Sequence, residues 1–436
     1  MPELHLKTRR AFLRDTMIGG AMTWTVPSFI QATMQSLFTQ VAGAATAPVT
    51  GKDHPILVVV QLAGGNDGLN TVIPFGNDHY HRARPVIGIK RSDTLKLNDE
   101  LGLHTALTGL KDLYDDGSLA IIQGVGYPNP NRSHFRSTEI WHTASDAHIN
   151  ETQGWIGRYF DNQCRGEDAS CGIAIEAETP QAFAGATPKG ITFGNTGQFR
   201  FMAGGGGRDE QELFNHFNNT ADRVAGASIS SFSSGRGRKL PGETKIDFLE
   251  RTAMDAQVNS DRIRAIAARA GRDGSFPSTR FGREMQIIAN LITGGMPTRI
   301  YYASQGGYDT HANQAGSHER LLGEFSEGLH AFMRAMKSTG NQERVMVMTF
   351  SEFGRRVAEN ESAGTDHGAA APVFIAGGNL TRGIAGEMPD LDPGQLDRGD
   401  MRHTIDFRSV YATLLERHLN CPSEPVLHRA FPLLKL

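Results

Sequence analysis

The run Ile56-Leu57-Val58-Val59-Val60-Gln61-Leu62, closed by Gly64-Gly65, constrains the fold more than any other stretch. Aliphatic side chains without alternation need cover on both faces, the condition of a central strand in a parallel sheet. Strand-like segments recur at 119–123, 172–175, 299–303, 345–350 and 372–376. Between them lie helical patterns. Leu321, Leu322, Phe325, Leu329, Phe332, Met333 and Met336 fall on one helix face, starting after His318 and ending at Gly340, and Val410, Tyr411, Leu414, Leu415 and Leu419 form another. Strands alternating with helices predict an α/β fold with a mainly parallel central sheet and helices on both faces.

Residues 203–243 interrupt that alternation with glycines 204–207 and the serine-rich 228–234, and charged helical stretches follow near 247–270 and 280–291. The segment 203–295 reads as an insertion on the sheet or a cap over it, not as an independent domain. Hydrophobic residues at 39% and charged residues at 21% exclude wholesale disorder. With 44 basic and 47 acidic side chains there is no basic excess to meet a phosphate backbone, so no nucleic-acid partner is expected. Three cysteines are too few for a disulfide-framed fold or a four-cysteine zinc site. Cys164 and Cys171, seven apart in a polar stretch, suit either a small disulfide in an oxidising compartment or two free thiols. Cys421 is expected to be buried near the C-terminus.

The first 44 residues read as an address. Thr8-Arg9-Arg10-Ala11-Phe12-Leu13 precedes an apolar stretch over 17–30, and Ala42-Gly43-Ala44 offers a small-residue cleavage site. This resembles a bacterial twin-arginine signal peptide, the alternative being a surface helix with two arginines. Gly19, Gly20 and Pro27 interrupt the apolar stretch, which is too weak for a stable membrane span. The expectation is a mature chain of residues 45–436, periplasmic or secreted, with the twin-arginine export machinery as a partner.

In open α/β sheets, sites form at the carboxyl ends of strands. Five segments there carry chemistry. Asp67, in Gly64-Gly65-Asn66-Asp67-Gly68, suits a cation ligand or an ordinary turn. Asp309 and His311, in Gly306-Gly307-Tyr308-Asp309-Thr310-His311, project on one side of an extended segment and can share an ion, or simply line a polar loop. Glu352, in Ser351-Glu352-Phe353-Gly354-Arg355, suits a metal ligand, with Arg355 pairing a substrate anion; Ser351 as a helix cap is the competing reading. Asp366-His367, ahead of Pro372 and an apolar strand, favour a ligand role. Ser133, between Arg132 and His134, is either a presented hydroxyl or the cap of the helix that follows.

Taken together, the leader and the segments 61–70, 128–135, 306–314, 351–355 and 366–372 resemble an exported bacterial family known as domain of unknown function fifteen-oh-one, distantly similar to alkaline phosphatases and sulfatases. The resemblance implies an alkaline-phosphatase-like domain over 45–436, with Asp67 as the acidic residue after the first strand and Ser133 as the nucleophile. It places Asp309 and His311 ahead of a long helix, and His367 ahead of a proline-led strand. Two departures stand out. Glu352-Phe353 replaces an Asp-His pair, and the 309–311 spacing is shorter than usual. The metal site is thereby altered, reduced to one ion or lost, and Asp366 is a ligand or a partner of His367.

The function so implied is hydrolysis of phosphate or sulfate esters, on a small-molecule or glycan substrate. Ser133 is the nucleophile, and Arg132 or Arg355 neutralises substrate oxygens. A divalent metal ion (zinc, manganese, magnesium or calcium) is held by Asp67, Asp309, His311, Glu352, Asp366 and His367. The alternative is a non-catalytic exported protein of the same fold that binds a glycan or cell-surface component. Gly64-Gly65-Asn66-Asp67-Gly68 lacks the glycine spacing of a dinucleotide loop, so a nicotinamide enzyme is not expected. Of the 16 histidines, His311, His367 and secondarily His134 stand out; His104, His142, His148, His403 and His418 read as surface or cap residues. Asp406 reads as the cap of the final helix.

Overall fold

A computed structural model describes residues 54–194, 262–266 and 275–436, apart from 166, 168, 188, 379, 381 and 382. The expected signal segment and most of 203–295 lie outside the described residues.

The first strand, β1 (Ile56–Ala63), is buried along nearly its whole length. It sits inside a nine-stranded sheet with β2 (Leu119–Gly126), β3 (Gly172–Ile175), β4 (Ile191–Thr192), β5 (Ile300–Gly306), β6 (Val345–Phe350), β7 (Ala371–Gly377), β8 (Gly383–Ala385) and β9 (Ile405–Asp406). The order is β8-β2-β7-β6-β1-β5-β3-β4, with β9 also on β2. Pairing is parallel except where β7 runs antiparallel to both β6 and β2. The expected mainly parallel α/β architecture is what the chain forms.

Successive residues of β1 feed opposite cores, because strand side chains alternate in direction. Ile56, Val58, Val60 and Leu62 join one cluster with helices α3 (Arg280–Thr293) and α4 (Gln314–Ser338). Leu57 and Val59 join the other with α1 (His134–Thr143), α2 (Trp155–Gln163) and α5 (Phe407–Thr413), which continues as a π-turn through Leu414–His418. Each such aliphatic side chain contributes about 1.5–3 kcal/mol on burial. Among the described residues no helix is long and apolar enough to cross a membrane.

Several local expectations are refined. Helix α4 starts at Gln314, ahead of His318, because the backbone N–H groups of Asn313 and Gln314 are taken up by the carbonyls of Ser362 and Ala363. Ser351 caps no helix; its hydroxyl donates to the Leu62 carbonyl and accepts the Asn66 N–H, lacing β6 to β1. Cys164, Cys171 and Cys421 are buried free thiols, and Asp406 caps α5 as expected. His104 and His142 are buried, not surface residues.

That burial has a pH consequence. His142 lies against Tyr302 Oη (3.0 Å), and desolvation pushes its pKa down to about 4. Burial likewise takes His318 to about 4, with Asp67 pulling the other way. Both are neutral when folded and bind a proton near pH 6.5 when unfolded, so their stabilisation is complete above that pH and is lost as pH falls. Each contributes up to about 3 kcal/mol to the loss. The melting temperature is expected to drop steadily from pH 7 to pH 5, and less steeply in His142→Phe. Equal slopes would exclude His142 as a source.

Candidate metal centre

The sheet delivers all five chemistry-bearing segments to one edge. Loops leave the carboxyl ends of β1, β2, β5 and β6, and because β7 is antiparallel its preceding loop, 364–370, starts from the same edge. The loops press together closely. A Cβ on Gly64, whose φ is +119°, would lie 2.5 Å from the Asp309 nitrogen, and one on Gly364 would lie 2.2 Å from the His311 carbonyl carbon. Both positions need glycine for contact, and Gly64 needs it for conformation as well.

At this edge three imidazoles meet one carboxylate. Asp309 Oδ1 is 3.0 Å from His311 Nε2 and 3.0 Å from His367 Nε2, and Asp309 Oδ2 is 3.3 Å from His134 Nε2. The two nitrogens His311 Nε2 and His367 Nε2 are themselves 3.0 Å apart. His134, Asp309 and His367 offer ligand atoms within 4.8 Å of one another. On the far side each ring is held by an acceptor. His134 Nδ1 lies 2.9 Å from Glu352 Oε1, His367 Nδ1 2.8 Å from the Arg132 carbonyl, and His311 Nδ1 3.3 Å from Asp366 Oδ1. Each Nδ1 thus faces an acceptor, and each Nε2 faces the Asp309 carboxylate. Backing of imidazoles by carboxylates or a carbonyl is the usual support of a metal site, and three Nε2 atoms around one carboxylate suit a shared cation. The donor set therefore fits a metal ion.

Arg355 completes the centre from behind. Fully buried, it donates to the carbonyls of Gly64, Gly65, Tyr308 and Thr365 and, at 2.8 Å, to Asp309 Oδ1. Partial burial works to raise the Asp309 pKa, but Arg355, His367 and His311 outweigh it and hold the carboxyl well below the usual range. Asn360, then His311 against a small burial effect, lower Asp366.

The structure brings Asp309, His311 and His367 together and sets the other candidates elsewhere. Glu352 and Asp366 stand behind histidines. Asp67 is not brought to the cluster: Oδ2 accepts from Arg84 (2.7 Å) and Gln314, and Oδ1 caps the turn at Leu69. Arg355, expected to pair a substrate anion, is fully buried with its guanidinium turned to four carbonyls and Asp309. Arg132 is held by Asp400, and its side chain stays one-third exposed. Ser133 is exposed at the N-cap of α1 and makes no side-chain capping bond. His134 is the ligand candidate that sequence reasoning ranked too low. Its signal was adjacency to Ser133. The Phe353 ring packs on His367 at 4.4 Å and His134 at 4.9 Å between centroids.

Fold and site thus define an α/β protein with a histidine–carboxylate centre at one edge of its sheet. Residues 207–422 match the model of the family described as "Protein of unknown function (DUF1501)", which bears out the resemblance and takes in three of the five motif segments. No curated protein matches the sequence. Among solved structures the chain is similar to a protein in the alkaline phosphatase superfamily from Vibrio parahaemolyticus, with 8% identity, 86% of this chain and 69% of that one covered, and a TM-score of 0.36. It is also similar to the lipoteichoic acid synthase LtaP from Listeria monocytogenes, with 9% identity, 81% and 75% coverage and a TM-score of 0.33. For a sulfatase from Pseudoalteromonas sp. the figures are 10%, 80% and 74%, and 0.32.

Proposed function

We propose that this protein is an exported, metal-dependent hydrolase of phosphate or sulfate esters, acting on a small-molecule or glycan ester. The observation that supports it is the convergence of His134, His311, His367 and Asp309, with Ser133 adjoining His134 in the chain. Three imidazoles and one carboxylate suit zinc better than magnesium or calcium, which prefer oxygen ligands. An ion held by these four residues would stabilise developing negative charge and favour a nearby hydroxyl as nucleophile.

Ser133 is the group for that role. Chain connectivity puts its Cα about 3.8 Å from those of Arg132 and His134. Its place at the start of α1, with no capping bond from its own side chain, gives an anionic ester the favourable end of the helix dipole. Arg132, anchored by Asp400 and next to Ser133 in the chain, offers a partly exposed guanidinium. Export by the twin-arginine route, with cleavage after residue 44, belongs to this proposal.

The test combines metal analysis with aryl phosphate and sulfate substrates. Wild-type protein is expected to bind a divalent metal and hydrolyse one of the two classes. Ser133→Ala should keep the metal and lose at least roughly 1,000-fold in kcat. Undiminished hydrolysis in Ser133→Ala would remove the nucleophile. A second reading, glycan binding without catalysis, is favoured by Phe135, a residue 92% exposed next to His134 in the chain, whose ring offers a stacking face. Metal uptake without hydrolysis, together with glycan binding abolished in Phe135→Ala, would select it.

A further inference from the structure

Beneath the centre, the two turns that carry Asp309, His311 and His367 are tied to one buried amide. Gln314, fully buried at the first position of α4, donates from Nε2 to Asp67 Oδ2 at 2.5 Å. Its Oε1 accepts from Thr310 Oγ1 at 3.1 Å and from Thr365 Oγ1 at 2.6 Å. Thr310 stands between Asp309 and His311, and Thr365 is the residue before Asp366-His367. The threonines are also joined directly, Thr365 N donating to the Thr310 carbonyl at 3.2 Å.

The chemistry of the partners makes this connection directional. Arg84 outweighs the upward pull of burial on Asp67 and holds it ionised, so its carboxylate only accepts. Gln314 must therefore turn its NH2 toward Asp67 and its oxygen toward both threonines. The amide is anchored on the longest helix described, whose apolar face is buried in the core, whereas the side chains of Asp309, His311 and His367 are 44%, 46% and 20% exposed. The buried hydrogen bonds beneath them add to the hold of Arg355 on Asp309 and of Phe353 on His367.

We propose that Gln314, oriented by Asp67, is a positioning residue that fixes the spacing of the 309–311 and 365–367 turns and so sets the affinity and geometry of the metal centre. The inference rests on the metal reading above. It gives Asp67, expected from the sequence to be a ligand, an indirect part in the same site.

The test titrates purified wild-type, Gln314→Leu and Thr365→Val proteins with Zn2+ and with Co2+, following the cobalt d–d absorption and checking folding by circular dichroism. Leucine fills the amide's volume without its hydrogen bonds, and valine replaces one hydroxyl at nearly constant shape. The expected result is folded protein with metal affinity weakened 10–100-fold in Gln314→Leu, a smaller loss in Thr365→Val, and an altered cobalt spectrum in both. Unchanged affinity and spectrum in both variants would overturn the proposal while leaving the metal centre standing. Should Gln314→Leu fail to fold, Thr365→Val decides by the same readouts. Wild-type protein that takes up neither metal would overturn the metal reading and this inference with it.

Discussion

Asp309→Ala is expected to empty the metal centre while leaving the fold in place. Among the described residues, Asp309 is the common neighbour of all three Nε2 atoms, and no other carboxylate touches more than one of the three rings. If about 10–16 kcal/mol of binding is shared among four ligands, losing one costs about 3 kcal/mol or more, on the order of 100-fold in affinity. Elemental analysis after dialysis should find near-stoichiometric metal in the wild type and background in the variant. Adding metal should raise the melting temperature of the wild type and not that of Asp309→Ala, because ligand stabilisation follows occupancy of the folded state. The metal-free proteins should melt close together, since the side chain is 44% exposed and Arg355 keeps four carbonyl acceptors. His367→Ala should behave alike. An undiminished metal content in both would end the assignment of these residues as ligands.

Arg84→Ala is expected to damage the fold instead. Arg84 and Asp67 form an ion pair at 2.7 Å with side chains 0% and 1% exposed. Arg84 also donates to Asn70 and to the carbonyls of Arg356 and Val357, so it ties the first loop to the segment after β6. Truncating it leaves a buried carboxylate without its cation, which costs about 3–5 kcal/mol, a large share of the ~5–15 kcal/mol by which a domain is stable. Urea denaturation should show a midpoint lowered accordingly. The double variant Arg84→Met, Asp67→Leu should recover much of the loss, because it removes the uncompensated charge. No recovery would mean that the wider hydrogen-bond network, and not the pair, carries the stabilisation.

Much of the architecture was legible in the sequence, and the reason is local. The run at 56–62 and the stripe from Leu321 to Met336 are patterns of period two and period 3.6, and they declare strand and helix without reference to distant residues. Placing function at strand ends then located every segment of the centre. Within the centre the residue types were read well, but the partnerships were not. Glu352 has the chemistry of a ligand, yet it accepts from Gly64 N–H and backs His134. Arg355 has the chemistry of an anion receptor, yet it is spent on four carbonyls and Asp309. Ser351 resembled a helix cap, but no helix follows it.

The amino-acid sequence by itself determined an α/β sheet, its buried central strand and the five loops that carry its polar residues, because hydrophobic periodicity and turn chemistry act over a few neighbouring positions. Only the tertiary structure decided which of those residues face one another. Asp309 meets Arg355 and His367 because β1 lies between β5 and β6, and His367 comes to the same edge because β7 runs against its neighbours. Asp67 meets Arg84 for a similar reason: the chain folds back over the first loop, and once both charges are buried there each needs the other.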